Sequence, residues 1–118
     1  MYQDRVQRLF DAIDTMSAGR FAESLAPNVH FQFGNASEVR GRDAVEATVA
    51  GFFSSIDGLR HHLRGYWEQA STAIVKLEVE YTRKDGRKLT LPCTNIFEFD
   101  GDLISDYRIY MDIGPVFA

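Results

Sequence analysis

Residues 88–112 read Lys88-Leu-Thr-Leu-Pro-Cys-Thr-Asn-Ile-Phe-Glu-Phe-Asp100-Gly101-Asp-Leu-Ile-Ser-Asp-Tyr-Arg-Ile-Tyr-Met-Asp112, and their pattern decides the fold. Leu89, Leu91, Cys93, Asn95, Phe97 and Phe99 alternate with Lys88, Thr90, Pro92, Thr94, Ile96 and Glu98. A period of two puts successive side chains on opposite faces of a strand. Beyond Asp100-Gly101, Tyr107, Ile109 and Met111 share one face, and Asp106, Arg108, Tyr110 and Asp112 share the other. Asp-Gly between two alternating runs is a hairpin signal. The two runs are therefore expected to pair antiparallel, odd-numbered residues inward.

The same alternation extends upstream over 72–83, where Ala73, Val75, Leu77, Val79 and Tyr81 oppose Lys76, Glu78, Glu80 and Thr82. It covers 59–69 as well, with Leu59, His61, Leu63 and Trp67 on one face, and Asp85-Gly86 supplies a second hairpin signal. Before Gly58 the period lengthens to about 3.6. Val6, Leu9, Phe10, Ile13 and Met16 predict an amphipathic helix over about 3–18, stopped at Gly19. Phe21 and Leu25 suggest a short second helix ended by Pro27, and Val29-His-Phe-Gln-Phe33 a short strand before a Gly34-Asn-Ala-Ser loop. Asp43 and Glu46 resemble a capping box for a third helix with Val45, Val49, Phe52 and Ile56 as its buried stripe, closed by Gly58. Pro92 has no ladder donor and predicts a bulge or an edge. Helices first and a meander after them make an α+β fold, a cone-shaped curved antiparallel sheet packed against three N-terminal helices.

Its 118 residues fit one domain over 1–118, and 45% hydrophobic residues suffice for a core. A net charge of -4, with 13 scattered Lys and Arg, argues against nucleic acid or an anionic membrane as partner. No apolar run approaches the roughly 20 residues needed to span a bilayer. The single Cys93 and the charged N-terminal stretch are read as a reducing, cytoplasmic setting, in which Asn35-Ala-Ser37 is a loop rather than a glycosylation site.

Pooling the inward polar side chains collects His61, Asn95, Tyr81, Tyr107 and the indole of Trp67, among Phe31, Phe33, Val79, Leu91, Cys93, Ile109 and Met111. Taken singly, each polar group reads equally as a core residue satisfied by its neighbours. Several on one concave face have the composition of a ligand pocket, mostly apolar with a few converging polar groups. On the outer face Tyr66, Ile74, Pro92, Ile96 and Tyr110 stand among charges, and a homodimer packed through the convex side would cover them. Glu78 and Glu80 are expected to pair across strands with Arg108 or Lys88, which makes Arg108 structural.

His61 is the candidate proton carrier, since imidazole titrates near pH 6.5, about neutral, and Asn95 or Tyr107 could polarise a carbonyl. Asp112 falls on the outer face by parity, and only a kink at the strand's end turns it toward the mouth. His30, His61 and His62 lack a metal-ligand spacing, and His61 and His62 point to opposite faces. Cys93 on an apolar strand reads as an inert thiol. With no glycine-rich phosphate loop, neither a metal nor a cofactor is expected.

The segments Gly19-Arg-Phe21, Ala26-Pro-Asn-Val29, Arg40-Gly-Arg-Asp-Ala44, Gly58-Leu-Arg-His61, Tyr81-Thr-Arg-Lys-Asp-Gly86, Leu91-Pro92 and Leu103 through Pro115 resemble the SnoaL-like polyketide cyclases of the nuclear transport factor 2-like superfamily. The resemblance spans nearly the whole chain and implies a conical barrel with a deep cavity, and usually a homodimer. Superfamily chemistries carry over poorly. The limonene epoxide hydrolase Tyr and Asn of the first strand match Phe31 and Phe33, and its last-strand Asp matches Ile109. The ketosteroid isomerase base matches Phe33, and its oxyanion-hole pair matches Ala12 and the stretch from Leu91 to Cys93. Three classes remain at this level. One is cofactor-independent acid/base chemistry on a small hydrophobic carbonyl compound, as in an isomerase, cyclase or dehydratase. The second is a non-catalytic dimeric binder of an apolar ligand, suggested by the lack of an inward carboxylate. The third is an assembly domain with a filled core.

Overall fold

The computed structural model describes all residues from Met1 to Ala118. In chain order the elements are α1 (Gln3–Asp14), α2 (Ala18–Ala22), β1 (Leu25–Phe33), β2 (Val39–Arg40), α3 (Arg42–Ser54), β3 (Gly58–Gln69), β4 (Thr72–Thr82), β5 (Lys88–Asp100), β6 (Leu103–Tyr110) and α4 (Gly114–Phe117). One six-stranded sheet runs in the order β2-β1-β6-β5-β4-β3. β3 to β6 form the expected antiparallel meander. β1 joins the other side of β6 in parallel, which the long intervening chain permits. The α+β architecture read from the sequence is the one observed, with this one parallel ladder added.

α1 buries Val6, Leu9, Phe10 and Ile13, spaced three and four apart, against the sheet. It stops at Asp14, short of the expected residue 18. Met16 adopts a left-handed backbone with φ of +58°, and the Ser17 hydroxyl caps α2 by accepting the Arg20 N–H at 3.2 Å. Gly19 therefore lies inside α2. Leu25 and Pro27, expected to end a helix, belong to β1. Pro27 falls in the stretch between Leu25 and His30 where the ladder with β6 is interrupted, so its missing donor leaves no gap. α3 has no side-chain cap. Gly41 precedes it at φ of +93°, and Asp43 stands in its first turn, where a carboxylate favours the helix dipole. Ile56 is buried beyond the helix end, and Phe53 takes the place in the stripe expected of Phe52.

Along β4 and β5 the odd-numbered residues face inward without exception. β3 departs from this rule. Leu63 pairs with Leu77 but Gly65 with Lys76, so Arg64 is an extra residue and parity reverses beyond it. Tyr66 consequently packs against the core, and Trp67 turns outward with 56% of its surface exposed. Both assignments reverse the sequence expectation. Pro92 meets Glu78 without a bulge, at a point where β5 has no partner on its β6 side, since that ladder starts at Thr94. The predicted edge is real.

The surface charges are arranged differently from expectation. Glu78 pairs with Arg64 at 2.7 Å, because the strands beside it present His62 and Pro92 rather than Arg108. Arg108 binds Asp106 through two nitrogens at 2.8 and 3.0 Å, Glu38 at 2.8 Å and Gln32 at 2.9 Å. Arg108 is structural, holding β6 to β1 and to the segment before β2.

Candidate functional site

The cone of the sheet does not close on a solid core. A cavity of about 560 Å³ lies between its concave face, the end of α1, α2, α3 and the chain after β6. The sheet supplies Phe31 and Phe33 from β1, His61 from β3, Val79 and Tyr81 from β4, Cys93 and Asn95 from β5, and Tyr107 and Ile109 from β6. Met111 follows just beyond. All of these were read as pocket residues from strand parity. Two others were not placed correctly. Trp67 lies on the outer face because of the Arg64 bulge, and Leu91, inward and opposite Val79, packs against the core without reaching the cavity wall. Helix side chains complete the wall, among them Ile13, Phe21, Val49 and Phe52. Sequence reasoning missed these because a helical stripe does not show which residues meet a void.

His61 lines the cavity, its side chain only 8% exposed. Its Nδ1 lies 2.5 Å from Asp14 Oδ1, and its backbone N–H donates to the same carboxylate at 3.1 and 3.2 Å. The carboxylate accepts from both, so Nδ1 carries a ring proton and Nε2 is left without a protein partner. Phe10 stacks on the imidazole at 4.7 Å and fixes its plane. Asp14 is the last residue of α1, where the helix dipole disfavours a negative charge, and the contact to His61 offsets that placement. Sequence reading overlooked it. The available signal was its spacing, four residues after Phe10 on the buried stripe.

Asn95 and Tyr107 are each only 1% exposed. The Asn95 Nδ2 and Tyr107 hydroxyl have no protein partner, yet no fully enclosed side-chain nitrogen or oxygen in the molecule lacks one, so both atoms open onto the cavity. Burial holds the Tyr107 phenol well above its ordinary range, with Cys93 and Tyr81 adding to the effect. Burial likewise raises Tyr81, whose hydroxyl donates to Met111 Sδ at 3.5 Å, and pushes the Cys93 thiol up to about 12. All three remain neutral donors. No lysine or arginine lines the cavity.

Asp112 reaches the rim. β6 ends at Tyr110, parity lapses there, and the turn into α4 lets Asp112 Oδ1 accept the Gly114 N–H at 2.9 Å. No group of three or more His, Cys, Asp or Glu side chains is arranged to hold a metal ion, and no helix is long and apolar enough to cross a membrane.

Comparison with known proteins gives a consistent result. The profile of the SnoaL-like domain family matches residues 6–107. A protein of unknown function with the nuclear transport factor 2-like fold from Burkholderia pseudomallei superposes with a TM-score of 0.85 at 18% identity, over 95% of this chain and 91% of that one. A protein assigned to the SnoaL-like polyketide cyclases from Jannaschia sp. CCS1 gives 0.82 at 17% identity, over 97% and 87%. An epoxide hydrolase of the limonene type from Mycobacterium tuberculosis gives 0.81 at 13%, over 97% and 84%. At these identities the likeness is one of fold. The sequence has no significant match among curated proteins.

Proposed function

The chain belongs to the SnoaL-like domain family, and from that premise we propose that it is a cofactor-independent acid/base enzyme acting on a small hydrophobic carbonyl compound. One observation carries this reading: an imidazole held by a carboxylate presents its free nitrogen to an apolar cavity that also contains two unpartnered donors. His61 Nε2 takes the proton from carbon beside the carbonyl. The C–H electron pair becomes the enolate double bond, and the carbonyl π pair moves onto oxygen, where Asn95 N–H and Tyr107 O–H receive the developing charge. The protonated imidazole then returns its proton to another carbon of a conjugated enolate, to a departing hydroxyl, or to the alkoxide formed when the enolate carbon attacks a second carbonyl of the substrate. This completes an isomerisation, a ring closure or a dehydration. Asp14 is a positioning residue that keeps the tautomer and stabilises the imidazolium.

Phe31, Phe33, Val79, Tyr81, Cys93, Ile109 and Met111 bind the apolar body of the ligand in this reading. The binding-module alternative was motivated by the lack of an inward carboxylate, and Asp14 now supplies one directly behind His61. A homodimer through the convex face is supported by exposed Trp67, Ile74 and Tyr110 on that side. A reducing, cytoplasmic setting is supported by the buried free thiol.

The test is deuterium exchange at the carbon next to the carbonyl of 2-tetralone, an apolar enolisable probe, in D2O. The wild-type protein should accelerate exchange and His61→Gln should not. Equal rates with both proteins, or none above buffer, would remove the enzyme reading.

A further inference from the structure

The wall of the cavity contains a contact that the proposed reaction does not use. Cys93 and Asn95 stand two residues apart on β5, both facing inward, and the Cys93 thiol donates to Asn95 Oδ1 at 3.6 Å. An amide has two unlike ends. Turned one way Asn95 offers the cavity N–H donors, and turned the other way it offers a carbonyl acceptor. Asn95 is 1% exposed, has no other side-chain partner, and leaves Nδ2 unpaired toward the cavity. A neighbouring thiol that donates to Oδ1 therefore favours the amide orientation with NH2 inward.

We propose that Cys93 is a positioning and specificity-determining residue: its S–H holds Asn95 Oδ1 against the wall and turns the NH2 into the cavity, so the subsite selects ligands bearing a hydrogen-bond acceptor. The thiol is suited to this role because burial keeps it protonated and hence a donor. Tyr107, on β6 two register positions from the partner of Asn95 and so on the same face, adds a second donor to the same wall. The ligand group that fits two donors without displacing either is a carbonyl oxygen, and a ligand offering only N–H meets no acceptor there. The assignment rests on the acid/base reading only in giving that carbonyl a reaction.

The test has two arms. In uniformly labelled, ligand-free protein, the Asn95 NH2 protons should show stronger NOEs to Ile109, its partner across β6, than to the Cys93 β-protons. The reverse order overturns the proposal, whether or not any ligand binds. The second arm compares affinity for 2-tetralone, which only accepts, with indole, which only donates. The wild-type protein and Cys93→Ser should prefer 2-tetralone equally. Cys93→Ala frees the amide to rotate and should lower that preference by about fivefold, the worth of one hydrogen bond. An unchanged preference in Cys93→Ala, or its loss in Cys93→Ser with the fold intact by circular dichroism, overturns the proposal. If His61→Gln exchanges 2-tetralone as fast as the wild type while these outcomes hold, the acid/base reading falls and the role of Cys93 stands.

Discussion

Asp14 and His61, 47 residues apart in the chain, are joined twice: ring Nδ1 to Oδ1 at 2.5 Å, and the His61 backbone N–H to both carboxylate oxygens at 3.1 and 3.2 Å. A side-chain bond alone would let the imidazole swing with its χ angles. The backbone bond ties the carboxylate to β3 itself, so α1 and β3 set the ring's orientation together.

Removing either partner should affect rate in different degree. His61→Gln abolishes the proton carrier and should slow the exchange of 2-tetralone by at least about a hundredfold. Asp14→Asn loses the anionic acceptor on Nδ1 and should slow it by about ten- to a hundredfold. Exchange rates followed by proton NMR across pH would check this. An Asp14→Asn profile superposable on wild type would leave the pair without a catalytic role.

Cys93 should be unreactive in the native state. Its thiol is pushed up to about 12 by burial, so almost no thiolate exists at pH 8. Iodoacetamide should modify the native chain at least about a hundredfold more slowly than the urea-unfolded one, where the thiol titrates near 8.5. The stability consequence follows in sign. The folded value lies above the unfolded one, so the contribution is complete only below the unfolded value of about 8.5 and is lost as pH rises toward about 12. Cys93→Val should flatten that alkaline decline in the urea midpoint, and a decline identical to wild type would count against it.

The Arg108 cluster should govern acid stability. Arg40 and then Arg108 hold the Glu38 carboxyl below its ordinary value of 4.5. A depressed folded value stabilises the protein above pH 4.5, and that stabilisation is lost as pH falls through it. Glu38→Gln should flatten the acid limb of Tm against pH. Arg108→Met should cost about 1 kcal/mol at neutral pH by leaving Asp106 and Glu38 facing each other. Calorimetric scans between pH 3 and 7 would show both effects or neither.

Trp67, the single tryptophan, reports on the outer face of the sheet. Its emission should be red-shifted, readily quenched by acrylamide, and unchanged when 2-tetralone fills the cavity. Raising protein concentration should shift it to the blue if the convex faces pair. Gly65→Ala would place a methyl carbon 2.5 Å from the indole ring, so the exposed ring should swing away and alter the spectrum more than the stability. Strong ligand-dependent quenching would return Trp67 to the cavity wall.

Much of this protein is legible in its residues because alternation and helical spacing record burial directly. Ala73 to Tyr81 and Leu91 to Phe99 place their odd-numbered members inward over two whole strands, and that parity alone brought His61, Asn95 and Tyr107 to one hollow. Parity failed where one residue was added. Tyr66 and Trp67 are both large aromatics, so nothing in the hydrophobic pattern reveals that Arg64 bulges and exchanges their faces.

Local chemistry, then, was written in the chain: the α+β class, the sheet's inward face, and the imidazole and amide upon it. Tertiary packing alone decided that β1 would run parallel to β6, that the cone would stay hollow, and that the end of α1 would set Asp14 behind His61. The physical reason is range. Periodicity reports how each residue meets water within its own element, whereas an acid at a helix end looks solvent-facing until the strand it touches has folded against it.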